Sequence, residues 1–210
     1  MNRATDNGRL RGASSRWRAL LAGSVLALFV LAVAPPLQSA EVRATAEPGT
    51  AEEYALKAAF LYNFARYTKW PESAFKDAES PIVIGVFGAD PFGSTLDKAL
   101  DGKSAGKRKF VIQRFESIEK LTAVHVLFVP FGEEKQLEKL RTKYLDKPVM
   151  LVAETLAAAE QGAQVGFYFE KSKVRFAINS TAMKAAKLEV SSELLKLAKI
   201  VETPAKEARQ

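Results

Sequence analysis

Three observations predict an α/β fold, a single three-layer domain with a mainly parallel sheet flanked by helices. Apolar runs alternate with amphipathic helical patterns, which calls for crossover connections between parallel strands. Two of those runs, Ile82–Phe87 and Val124–Val129, are almost continuously apolar, as strands covered on both faces are. Two further β-type runs, Val165–Phe169 and Val174–Ile178, are separated by Glu170–Lys173 and read as a C-terminal antiparallel hairpin at the edge of the sheet.

Taken in order, Glu52–Trp70 is helical, with Leu56, Phe60, Phe64 and Tyr67 forming an apolar stripe and Lys57 falling off it. Asn63 lies on or beside that stripe, and the Trp70-Pro71 step ends the helix. After the strand Ile82–Phe87, the turn Gly88–Gly93 leads into a short helix opened by Pro91 and running to Leu100. Phe110–Phe115 is a strand, Ser117–Leu121 a helical turn and Val124–Val129 the third strand. Glu133–Tyr144 is an amphipathic helix, Pro148–Val152 a fourth strand, and Thr155–Gln161 a short helix stopped at Gly162. Beyond the hairpin, Thr181–Ala186 and Ser191–Val201 read as helices, the second placing Leu194, Leu197, Ala198 and Val201 on one face.

The chain has 210 residues, room for one domain plus accessory sequence. A hydrophobic share of 48% with 9 Pro and 12 Gly excludes a disordered or collagen-like protein. Without cysteine there is no disulfide framework, thiolate zinc site, thiol nucleophile or lipoprotein anchor. A single histidine excludes a histidine-based metal cluster. Residues 1–40 read as a signal peptide: five arginines, then the uncharged Ala19–Ala34, then Pro35-Pro36 and small residues, with cleavage somewhere in Ala40–Ala46. The apolar core is shorter than the ~20 residues a spanning helix needs, and no twin-arginine pair precedes it. The expected product is exported by the general secretory route and does not span the membrane after cleavage. Residues 41–51 read as a tether, 52–203 as the domain and 204–210 as a tail. Loss of residues 1–40 leaves 26 basic against 23 acidic residues, so no basic stripe points to nucleic acid. The one dense cluster, Lys103–Lys109, reads as a solvated loop.

The residues leave little catalytic chemistry. Asp90 projects at the carboxyl end of the first strand, where open parallel sheets hold ligands, but Asp-Pro before a helix is equally a helix start. The glycine spacing around it is neither a dinucleotide fingerprint nor a phosphate loop. His125 lies within an apolar strand and reads as a satisfied core or edge residue. The pairs Glu52-Glu53 and Glu133-Glu134 read as acids at helix starts. Arg175 points away from the face that Val174 and Phe176 share, and Asn179 ends the same strand; together they would grip a carboxylate or a backbone, or cap the helix that follows.

Two segments carry a resemblance. KAAFLYNFARYTKWP (Lys57–Pro71) resembles the opening helix and Trp-Pro stop of the YfiR family. VRFAIN (Val174–Asn179) with AMKAAKLEVSSELLKLAKIV (Ala182–Val201) resembles its closing strand and helices. IVIGVFGADPFG (Ile82–Gly93) and HVLFVP (His125–Pro130) fit in order and spacing. The resemblance implies a periplasmic α/β protein, dimeric, non-enzymatic and without a cofactor. It would bind the periplasmic part of an inner-membrane signalling protein, a diguanylate cyclase in the best-known setting, and so affect cyclic di-GMP and biofilm formation. The paired cysteines that tune some relatives are absent here. Candidate contacts to a partner or ligand are Asn63, Arg66, Trp70, Asp90, Arg175 and Asn179. A periplasmic small-molecule sensing domain built around Asp90 is the alternative expectation, and a hydrolase with an unrecognised site stands third.

Overall fold

In a computed structural model, which describes residues 49–203, the first helix α1 (Ala51–Arg66) starts at Thr50, whose hydroxyl accepts from the Glu53 N–H at 3.2 Å. Glu53 reaches back to the Gly49 N–H, so Thr-Ala-Glu-Glu works as a capping box displaced by one residue. The expected signal peptide, most of the tether and the tail 204–210 lie outside the described residues. The expected stripe on α1 is rotated by one position. The buried residues are Glu53, Lys57, Ala58, Leu61, Phe64 and Ala65, while Leu56 and Tyr67 are exposed. The stripe contains a Glu–Lys pair, which a search for apolar side chains counts as solvent-facing.

The remaining elements follow in chain order: β1 (Thr68–Lys69), β2 (Ile82–Phe87), α2 (Ser94–Leu100), β3 (Ser104–Ala105), β4 (Arg108–Phe115), β5 (Val126–Val129), α3 (Leu137–Lys143), β6 (Met150–Ala153), α4 (Leu156–Glu160), β7 (Val165–Glu170), β8 (Lys173–Asn179), α5 (Ser180–Ala185), β9 (Glu189–Val190), α6 (Ser192–Leu195) and β10 (Lys199–Val201). Eight strands form one sheet in the order β10-β8-β7-β6-β5-β2-β4-β3. From β7 to β4 every pairing is parallel. β7 and β8 form the expected hairpin, with Tyr168 facing Arg175 and Phe167 facing Phe176.

The hairpin is one strand in from the edge. Residues 199–201, expected to finish a helix over 191–201, instead extend as β10, parallel to Ala177–Asn179. The helix stops at Leu195, and Leu194 is its buried residue, whereas Leu197 is 67% exposed. Ile200-Val201 is a β-branched pair beside an open strand, and that tertiary pairing overrides the helical spacing. β1 and β9 form a separate antiparallel pair, Thr68 with Val190.

Side chains alternate across the sheet and build two apolar layers. Ile82, Ile84, Val86, Val126, Phe128, Phe167, Phe176 and Ile178 face α1, α2 and Met183 of α5. Phe87, Phe115, Leu127, Val129 and Leu151 face α3 and α4. α4 lies close to β7 because Gly166 has no side chain: a Cβ there would lie 2.3 Å from the Thr155 carbonyl oxygen.

Candidate functional site

The strand order reverses between β2 and β5, since the chain goes from β2 out to β4 and then returns to the other side of β2. The crevice outside the carboxyl ends of those two strands is where open α/β sheets bind ligands. Here the protein's own side chains fill it. Phe92, 3% exposed, packs edge-on against Phe128 at 4.7 Å between centroids and against Tyr54 at 5.5 Å. Asp90 is also engaged. Its Oδ1 accepts the Phe92 N–H at 2.8 Å, and its Oδ2 accepts Arg114 Nε at 2.6 Å. Arg114 continues to Asp97 Oδ2 at 2.6 Å and the Gly93 carbonyl at 3.0 Å. The guanidinium's bond to Asp97 holds that carboxyl below its ordinary value. Asp90 thus ties a turn to β4. It does not cap a helix at Pro91, because α2 begins at Ser94 after Gly93.

Beside this filled crevice is a buried charge cluster. Lys57 pairs with both Glu53 and Glu154, and all three side chains are 3% exposed. Glu154 follows β6 directly and also accepts the Phe131 N–H at 2.5 Å. Burial, reinforced by the carboxylates of Glu154 and Glu53, pushes the Tyr54 hydroxyl well above the ordinary phenol range. The cluster links the start of α1 to the ends of β5 and β6, and it presents Phe131 77% exposed above them. Glu53 and Lys57 are one helical turn apart, a spacing visible in the sequence; Glu154, 97 residues from Lys57, gave no such signal.

At the opposite end of α1, Pro71–Pro81 forms a strap across the amino ends of the strands. Trp70 Nε1 donates to the Ala65 carbonyl at 3.1 Å. His125 Nδ1 accepts the Val83 N–H at 3.0 Å, so the ring proton is on Nε2 and is donated to the Ala74 carbonyl, also at 3.0 Å. The imidazole stacks on Phe75 at 4.6 Å and meets Trp70 edge-on. On Phe75 rests the Arg108 guanidinium, 3.5 Å from the ring centroid, donating to the Asp77 and Ser80 carbonyls. Burial pushes the His125 pKa below its ordinary value. The residue is a satisfied structural histidine, as its apolar setting indicated.

The six sequence candidates do not form one site. Arg66 is exposed near the end of α1, 3.3 Å from the Tyr62 hydroxyl, and Asn63 is half-buried on the same turn of helix. Trp70 stands just before the strap, against His125, and Asp90 lies at the other end of the sheet. Arg175 is on an exposed stretch of the hairpin, 3.6 Å from Glu170. Asn179 is fully buried: its carbonyl caps α5 at Ala182 N, and its amide donates to the Ala159 carbonyl and to Thr203 Oγ1, each at 2.6 Å. Of the two readings open for Asn179, the helix cap is the one observed. A pocket of about 170 Å³ lies elsewhere, lined by Arg141, Tyr144, Leu145, Gln164, Ala182 and Thr203. Among the described residues, no group of three or more His, Cys, Asp or Glu side chains is placed to hold a metal ion. No described helix is long and apolar enough to cross a membrane.

A family model described as YfiR/HmsC-like matches residues 54–199. No curated protein matches the chain. One solved structure, an ABC domain in complex with L-Trp from Streptococcus pneumonia, is similar at 10% identity and a TM-score of 0.44. That likeness covers 57% of this chain and 55% of the other, about half its length.

Proposed function

The chain belongs to the YfiR/HmsC-like family, a family of regulatory binding proteins rather than enzymes, and from that membership we propose that it is a periplasmic regulator of an inner-membrane signalling protein. The partner is a diguanylate cyclase or a related protein, held by its periplasmic part in the inactive state. Release then raises cyclic di-GMP and favours biofilm formation. This is control by differential binding to two conformations of the partner. The regulator acts as a homodimer, exported by the general secretory route with cleavage within residues 40–46. Of the six candidate contacts, Arg66 and Arg175 are the exposed ones, and they are the positions proposed to meet the partner.

The observation that carries this reading is the family match across 54–199, nearly all of the described domain. Crosslinking a tagged copy in its own envelope, followed by mass spectrometry, tests it. Capture of a membrane protein with a cytoplasmic cyclase domain, together with altered cyclic di-GMP on deletion, is the expected result. Self-crosslinks alone would remove it. A second reading, a small-molecule sensing domain, moves away from Asp90, whose carboxylate is engaged, to the pocket lined by Arg141 and Gln164. A thermal shift on small-molecule screening, abolished by filling that pocket with Ala182→Leu, would favour it.

A further inference from the structure

The two edges of the eight-stranded sheet end differently. At one, β3 is the dipeptide Ser104–Ala105, flanked by Lys103, Lys107 and Lys109. Short length and lysines are the usual means of blunting an edge. At the other, β10 is also short, three residues that start at Lys199, but it carries Ile200 and Val201, pairs with β8 on its inner side, and has no described strand on its outer side. Around it Leu195, Leu197 and Ile200 are 38%, 67% and 49% exposed, three large apolar side chains within six residues. The strand is also fixed at both ends. Before it, Leu194 is buried and the Ser191 N–H donates to the Tyr67 carbonyl at 2.9 Å. After it, Thr203 is buried and accepts from Asn179. An edge held in place this way needs no ordering when another strand arrives.

We propose that β10 is the dimerisation strand and pairs antiparallel with β10 of a second copy, about a two-fold axis at Ile200. The proposal rests on the homodimer reading above and names its interface. A two-fold axis perpendicular to a continuous sheet requires one residue to face its own copy. Centring on Lys199 opposes two ammonium groups, which is unfavourable. Centring on Val201 puts Ile200 opposite Glu202. Centring on Ile200 puts isoleucine against isoleucine, Lys199 opposite Val201 and Ala198 opposite Glu202, with no like charges opposed. Ile200 is in register with Ile178, a member of the core layer facing α1. The paired isoleucines therefore extend that layer across the axis. The Lys199 stem lies along Val201 and its ammonium reaches water. This self-complementarity is what selects a second copy over a foreign strand.

The test is sedimentation of the chain purified from the envelope, with amide exchange measured over a concentration series. Wild type should dimerise, with amides 199–201 protected in proportion to the dimer. Ile200→Asp places two carboxylates on the axis and should weaken the dimer by ~30-fold or more. Because Ile200 is half exposed, the variant should keep the wild-type circular dichroism, and its thermal midpoint should match that of the wild type at concentrations where both are monomeric. Phe131→Asp, at an exposed aromatic outside the strand, should leave dimerisation unchanged. A dimer that survives Ile200→Asp with fast exchange at 199–201 overturns the interface and leaves the homodimer reading standing. A wild-type chain monomeric at every concentration overturns both.

Discussion

The two ends of α1 are tied down by opposite chemistry. At its start, Glu53, Lys57 and Glu154 put three charged groups out of water. At its end, Trp70, Phe75 and His125 make the tie with aromatic faces and neutral hydrogen bonds. The difference teaches where a single change does most harm. Removing one partner from a buried charge set strands the others, whereas removing one member of an aromatic stack loses contacts in proportion to area.

The hardest way to break the comparison is Lys57→Ala, which leaves two carboxylates buried side by side. A loss of ~3–5 kcal/mol is expected in urea denaturation, and Glu53→Gln/Lys57→Met/Glu154→Gln should recover most of it. A loss below ~1 kcal/mol would mean that water already reaches the cluster. Next comes Asn179→Ala, which strands the Ala182 N–H, the Ala159 carbonyl and the Thr203 hydroxyl. The expected cost is about 3 kcal/mol, against an unpaired buried group at ~1–3 kcal/mol. It shows how a neutral knot compares with the charged one.

At the aromatic end the sharper probe is pH. The folded state disfavours protonated His125, so the unfolded chain takes up the proton first. Stability should be fully present above the ordinary histidine value of ~6.5 and decline as pH falls from there through the lower folded pKa. His125 is the only histidine, so its ring resonance reports the titration directly, and His125→Gln should flatten the slope between pH 7 and 5. An unchanged slope in that variant would place the effect elsewhere. The smallest effect is expected from Asp90→Ala, since Arg114 keeps Asp97 at a partly exposed site. A change within ~1 kcal/mol, reduced further by salt, is predicted from paired melts at low and high ionic strength.

Much of the fold was legible because it is written in local periodicity. The strand Ile82–Phe87 is found where the continuous apolar run put it, and the hairpin register follows from alternation in Val174–Ile178. What was not legible depends on distant partners. Lys57 is buried because Glu154 meets it. Residues 199–201 are extended because β8 offers an open side. The turn after β2 delays its helix to Ser94 because Asp90 is bound to Arg114 and Phe92. At the candidate sites the residue types were visible, but their dispersal to opposite ends of the sheet was not.

The pairing of Thr68 with Val190, together with the Lys57–Glu154 contact, also sets a timetable. A chain delivered amino end first presents α1 long before either of its anchors exists. Contacts of such sequence separation raise the loop-closure cost of folding and slow it. Until β7 and β8 have emerged, the apolar side of α1 lacks Phe167 and Phe176 to rest on, and until Val190 has emerged β1 has no partner strand; a nascent chain in that state is exposed to aggregation. The last fifteen or so described residues therefore act as a late closure signal: a product truncated before them should carry nearly the whole domain and still be a substrate for chaperones and proteases.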